Sequence, residues 1–161
     1  MDILLRKNKR APATLSTFET ARLEHLLAER VQSYLDGGSG ACWFNRKEAA
    51  TIMFESLQHF HEQRYRILAW CIMPNHVHVV LIPLHGFELA HIVRTWKSFS
   101  ARRIGQILPV KKPFWQVEYY DHLIRDSEEY LHAIHYVLNN PEKAGLTEWP
   151  WVGEGLIARE L

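Results

Sequence analysis

The sequence predicts an α+β domain in which amphipathic helices pack on an antiparallel sheet. Three observations predict it. Two apolar, β-branched runs, Tyr65 to Ile72 and Val77 to Ile82, flank Met73-Pro74-Asn75, the pattern of a hairpin. Apolar residues recur at helical spacing after Asn45, after Gly86 and after Asp126. The chain has 161 residues, 47% of them hydrophobic, enough to bury a core of its own. We therefore expect a single domain over residues 1–161, with a divergent segment at 1–35 and a tail at 147–161.

Composition narrows the function. No run of eighteen apolar residues and no signal-peptide pattern is present, so the expected location is the cytoplasm, without a membrane. Cys42 and Cys71 lie far apart and outside any CxxC spacing, which excludes a cysteine zinc site. Neither a P-loop nor a GxGxxG occurs, so no nucleotide cofactor is expected. Lys plus Arg (19) almost balances Asp plus Glu (18), so a surface for nucleic acid has to be local.

In chain order, Arg6, Lys7, Lys9 and Arg10 form a basic arm or a frayed terminus. Ala11 to Phe18 reads as a short strand, yet Ser16-Thr17-Phe18-Glu19 matches a capping box that would start a helix running to about Leu35. Asp36-Gly37-Gly38-Ser39-Gly40 is a turn. Asn45 resembles the cap of a helix whose buried stripe is Ala49, Ile52, Met53, Ser56, Leu57 and Phe60. In the first hairpin strand, strict alternation sets Tyr65, Ile67, Ala69 and Cys71 against Arg66, Leu68, Trp70 and Ile72. A helix over Gly86 to Leu108 buries Leu89, Ile92, Val93, Trp96 and Phe99. Phe114 to Ile124 reads as an aromatic strand. Asp126 caps a last helix, with Tyr130, Ala133, Ile134, Val137 and Leu138 on its apolar face, which Pro141 stops. Trp149, Pro150 and Trp151 then pack over the sheet or cover a groove.

Candidate chemistry begins at Pro74-Asn75-His76-Val77-His78. Side chains alternate along a strand, so His76, His78 and Val80 share one face, and Val77, Val79 and Leu81 the other. Two imidazoles one pleat apart suit two ligands of one divalent metal, although the pair alone is a weak signal. His132, Tyr136 and Asn140 recur every four residues, on the side of the last helix away from its apolar face. A Tyr and an Asn one turn apart there suit a nucleophile and a metal ligand. Arg94, Lys97, Arg102 and Arg103 lie mostly off the buried stripe of their helix. With Lys111 and Lys112 they form a basic surface able to grip phosphates. Trp115 and Tyr119 are the aromatics available to stack on unpaired bases.

Ala69-Trp70-Cys71-Ile72-Met73-Pro74-Asn75-His76-Val77-His78 resembles the HUH signature of the small single-tyrosine transposases. Trp96-Lys97-Ser98-Phe99-Ser100-Ala101, Phe114-Trp115-Gln116 through Tyr120-Asp121, and Tyr136-Val137-Leu138-Asn139-Asn140-Pro141 with Lys143-Ala144-Gly145-Leu146 resemble the branch called REP-associated tyrosine transposases. The blocks span about Asp36 to Leu146, in order. The resemblance implies a ferredoxin-like or RRM-like antiparallel sheet with helices on one side. It implies Mg²⁺ or Mn²⁺ on His76 and His78, with Asn140 at the position of a third ligand, and Tyr136 as nucleophile. It implies nicking and rejoining of single-stranded DNA at hairpins, by a monomer or homodimer. Family members usually begin with a strand that pairs with the histidine strand; here the only segment offered is Ala11 to Phe18. Two other readings stand beside this one: a DNA-hairpin-binding module without catalysis, and a metal-dependent nuclease that uses water.

Overall fold

The computed structural model describes residues 2–3, 40–110, 113–117 and 119–156. The fold is α+β, built on the expected hairpin. Strand β2 (Tyr65–Ile72) pairs antiparallel with β3 (Val77–Pro83). Met73 N–H donates to the His76 carbonyl at 2.8 Å, which closes Pro74-Asn75 as a two-residue turn. A short strand β1 (Asp2–Ile3) lies parallel to β3, and β4 (Val152–Glu154) lies antiparallel to β2. The order across the sheet is β1-β3-β2-β4. The partner of the histidine strand is thus Asp2–Ile3. Ala11 to Phe18, the helix proposed after it and the basic arm lie outside the described residues.

Strand β3 alternates as the sequence requires: Val77, Val79 and Leu81 join one buried cluster and Val80 another. Strand β2 does not alternate. Ile67 pairs with Leu81 but Ala69 pairs with Val80, so Leu68 is an extra residue, a β-bulge. Tyr65 and Ile67 therefore share a core with Trp70 and Ile72, while Ala69 and Cys71 face the other way.

Helices α1 (Lys47–Gln58) and α2 (Leu89–Ile107) cover the Val77 face, and α3 (Ser127–Lys143) covers the face that carries Val80. Helices on one side only were expected. Cover is needed on both because the hairpin buries apolar side chains on both faces. On the α1–α2 side, Trp96 Nε1 donates to the Tyr65 hydroxyl at 2.8 Å, and that hydroxyl donates to the Leu57 carbonyl at 2.9 Å. Tyr65→Phe strands a buried donor and a buried acceptor together. We expect a loss of about 1–3 kcal/mol in urea unfolding.

Several element ends differ from expectation. Arg46, not Asn45, is the N-cap of α1 and bonds through no side chain, because Asn45 is held in a 3₁₀ turn over Trp43–Asn45. Helix α2 begins at Leu89, not at Gly86, which has φ +86° in the preceding turn. Helix α3 passes through Pro141, whose φ is compatible with a helix, and ends at Lys143. Gly145, at φ +72°, is the residue that turns the chain away.

Phe114 to Ile124 is not a strand among the described residues. The Phe114 and Trp115 rings pack on Phe44, with centroids 5.9 and 5.6 Å away. Lys97 Nζ donates to the Gln116 and Val117 carbonyls, acceptors that a strand would give to its ladder. In the tail, β4 extends the sheet, and Gly153 lies where a Cβ would sit 3.1 Å from the Trp70 indole. No helix among the described residues is long and apolar enough to cross a membrane.

Candidate active site

His76 stands at the entrance to β3 and His78 one pleat further on, where the hairpin turn and strand period together fix their common direction. Both are buried, at 1% and 3% exposure. Their Nε2 atoms lie 2.7 Å apart and the rings are nearly perpendicular. His76 Nδ1 lies 2.7 Å from Asn75 Oδ1. Burial first, then the neighbouring His76, holds the His78 imidazole well below its ordinary value of 6.5. The folded state therefore resists protonation there while the unfolded chain accepts it. Stability from His78 is complete above pH 6.5 and declines as pH falls below that value. In a chelator, we expect the Tm to fall between pH 6.5 and 5, and this part of the fall to be missing in His78→Gln.

Helix α3 brings the other residues to the same face. Asp126 Oδ1 accepts from Glu129 N–H at 2.8 Å, a side-chain cap that fixes where the helix starts. The Glu129 carboxylate pairs with His122 and accepts from Arg125 N–H. These bonds hold it below the ordinary carboxylate range, the His122 contact most of all. Two turns on, the Tyr136 ring meets the His78 ring edge-on, with centroids 5.5 Å apart. Asn140 is 1% exposed, and its buried amide nitrogen has no hydrogen-bond partner among the described residues.

Tyr136 and Asn140 were expected on the side of α3 away from its apolar face. Instead they border that face: Asn140 is buried on the helix as Ala133 and Val137 are, and Tyr136 packs against the cluster that holds those two. The Tyr136 hydroxyl is buried too. The reason is the two-sided sheet. Helix α3 rests on the histidine face, so its core side and its site side coincide. His132 alone of that series stays exposed.

The expected DNA-contacting residues divide. Arg94, Lys97, Arg102, Trp115 and Tyr119 line one groove of about 1090 Å³ between α2 and residues 113–119. Lys97 is engaged with backbone carbonyls, and its Nζ lies 5.7 Å from the Tyr119 ring centre. Trp115 is not set up for stacking on bases: it packs on Phe44 and its Nε1 donates to Ser100 Oγ at 2.9 Å. Arg103 turns toward α1, 4.0 Å from Glu55 and over the Phe99 ring, so it is not among the groove's lining residues. Lys111 and Lys112 lie outside the described residues. Reading the sequence missed Lys143, whose Nζ sits 5.0 Å over the Tyr136 ring. Its place seven residues after Tyr136, two helical turns on, was the available signal.

The donor set fits a divalent ion. Two cis nitrogens at first-row metal distances lie about 3 Å apart, close to what the two imidazoles already show. No cluster of three His, Cys, Asp or Glu occurs among the described residues; Asn140, buried on the helix that covers the histidine face, carries an amide oxygen, a donor of another type.

The model of the family described as "Transposase IS200 like" matches residues 44–140, which include both histidines, Tyr136 and Asn140. A REP-associated tyrosine transposase of Escherichia coli K12 is 25% identical over 142 residues, covering 78% of this chain and 81% of that protein. An uncharacterized protein of Haemophilus influenzae is 31% identical over 113 residues, covering 55% of this chain and 60% of that protein. No solved structure matches the chain.

Proposed function

Since the chain belongs to the IS200-like transposase family and is a transposase, we propose that it nicks and rejoins single-stranded DNA at hairpins through a covalent bond to Tyr136. The observation that carries this reading is the edge-on contact between the Tyr136 ring and His78, itself 2.7 Å from His76. It joins a phenol to a pair of buried metal-type ligands. His76, His78 and Asn140 are the residues that would hold Mg²⁺ or Mn²⁺. When bound, the ion neutralises phosphate charge and orients the ester.

The protein's own groups do the rest. The Tyr136 hydroxyl oxygen attacks phosphorus and loses its proton. The P–O3′ bond breaks, leaving a 5′-phosphotyrosine and a free 3′-OH. The new ester keeps the energy of the old one, so an incoming 3′-OH reverses the step without ATP. A phenol with an ordinary pKa near 10 is a poor nucleophile in water, which is why its placement beside the ligand pair matters. The test is incubation of labelled hairpin DNA with Mn²⁺, followed by a denaturing gel. Protein linked to the 5′ end of the downstream fragment is expected; free cleaved ends without an adduct would replace this reading with a water-using nuclease.

The groove supports a second part of the reading, contact with the DNA backbone. Arg94 and Arg102 are exposed cations on its lining, and Tyr119 supplies an aromatic wall. Each phosphate contact to a single strand adds about 0.7 to the slope of log affinity against log salt. Arg94→Gln with Arg102→Gln should therefore flatten that slope by about 1.4. An unchanged slope removes the groove from the DNA path.

A further inference from the structure

We infer that Asn75 is a positioning residue that fixes Nδ1 of His76 as the donor nitrogen and so keeps Nε2 of that ring turned toward the site. The inference rests on the metal reading above only for its consequence, not for its geometry. Asn75 Oδ1 lies 2.7 Å from His76 Nδ1, a hydrogen-bond distance at which an amide oxygen only accepts. His76 Nδ1–H is therefore the donor to Asn75, and the contact orients the ring so that its Nε2 faces the Nε2 of His78, 2.7 Å away.

The backbone fixes Asn75 where it can do this. Met73 N–H bonds to the His76 carbonyl across the turn. Phe44 N–H donates to the Pro74 carbonyl at 2.9 Å, and the buried Phe44 ring anchors that donor in the core. The amide of Asn75 is thereby carried by a turn tied at both ends. Ligating histidines commonly depend on such a partner for the other ring nitrogen, and its loss typically lowers metal affinity 10–100-fold.

The experiment uses the whole protein without metal, with ¹⁵N spectra of the histidine rings, and Mn²⁺ as the probe in a separate binding titration. In the wild type, His76 should carry its proton on Nδ1. Asn75→Ala should release His76 from the Nδ1–H form and weaken Mn²⁺ binding roughly 10-fold or more. Asn75→Asp keeps an acceptor at the same place and should restore both. Amide spectra confirm that the variants fold. A wild-type His76 protonated on Nε2, or an Asn75→Ala protein whose His76 remains in the Nδ1–H form, overturns the inference. Mn²⁺ binding that is indifferent to both histidines defeats the metal reading instead, and leaves the tautomer result to decide this one.

Discussion

Tyr136→Phe forms no covalent adduct with hairpin DNA and joins no strands, even at saturating Mn²⁺. The substitution removes one oxygen, and that oxygen is the one proposed to bond to phosphorus. The ring contact with His78 and the packing against the α3–sheet cluster remain, so the variant still folds and still binds Mn²⁺. Because the hydroxyl is buried, a stability change of about 0.5–1.5 kcal/mol is expected alongside. Hairpin affinity should hardly move, since phosphate contacts dominate such binding. A denaturing gel in which the variant still carries a DNA-linked band would assign the nucleophile to another tyrosine. Tyr119, Tyr120 and Tyr130 are the first to examine.

His76→Gln combined with His78→Gln loses nicking, adduct formation and Mn²⁺ binding together. This pattern separates it from Tyr136→Phe, which keeps the metal. Glutamine fills more of each buried site than alanine does, which limits the cavity penalty. With both imidazoles gone, Mn²⁺ affinity should fall by more than the roughly 10–100-fold that losing an outer partner costs. Calorimetric titration with Mn²⁺ measures the first effect and the gel assay the second. An affinity equal to that of the wild type would mean that any bound ion sits elsewhere.

The histidine strand was legible because β3 obeys a period of two from end to end: Val77, Val79 and Leu81 went to one core, and Val80 to the other. The same rule failed one strand earlier. A bulge at Leu68 has no signature in Tyr65 to Ile72, and it reverses the facing of everything beyond it. The start of α3 was legible in Asp126, but its orientation was not. Sequence separates an apolar side from a polar side; it does not say that a polar Asn140 lies on the buried side because the histidine face of the sheet lies under that helix. Phe114 to Ile124 looked like a strand because aromatic residues favour strands in general. The Phe114 and Trp115 rings instead fill a gap beside Phe44, and Lys97 on α2 takes the Gln116 and Val117 carbonyls. The strand beside the histidines was missed because a two-residue pairing at Asp2–Ile3 is too short to show any period.

The strand β4 has a practical consequence for anyone trimming the protein to its family-matched part, which ends at residue 140. Such a fragment loses β4 and the bonds that fasten it: Ile72 N–H to the Trp151 carbonyl, Trp149 Nε1 to the Ile72 carbonyl, and Trp70 Nε1 to the Gly155 carbonyl. It also loses Lys143 and Gly145, and with them the end of α3. What remains is a β2 with its outer row of donors and acceptors bare and an apolar Trp70 beside it. An uncovered strand of that kind recruits the same strand from another molecule. Insolubility of the shortened protein would then report a broken sheet margin rather than any property of the histidine–tyrosine site.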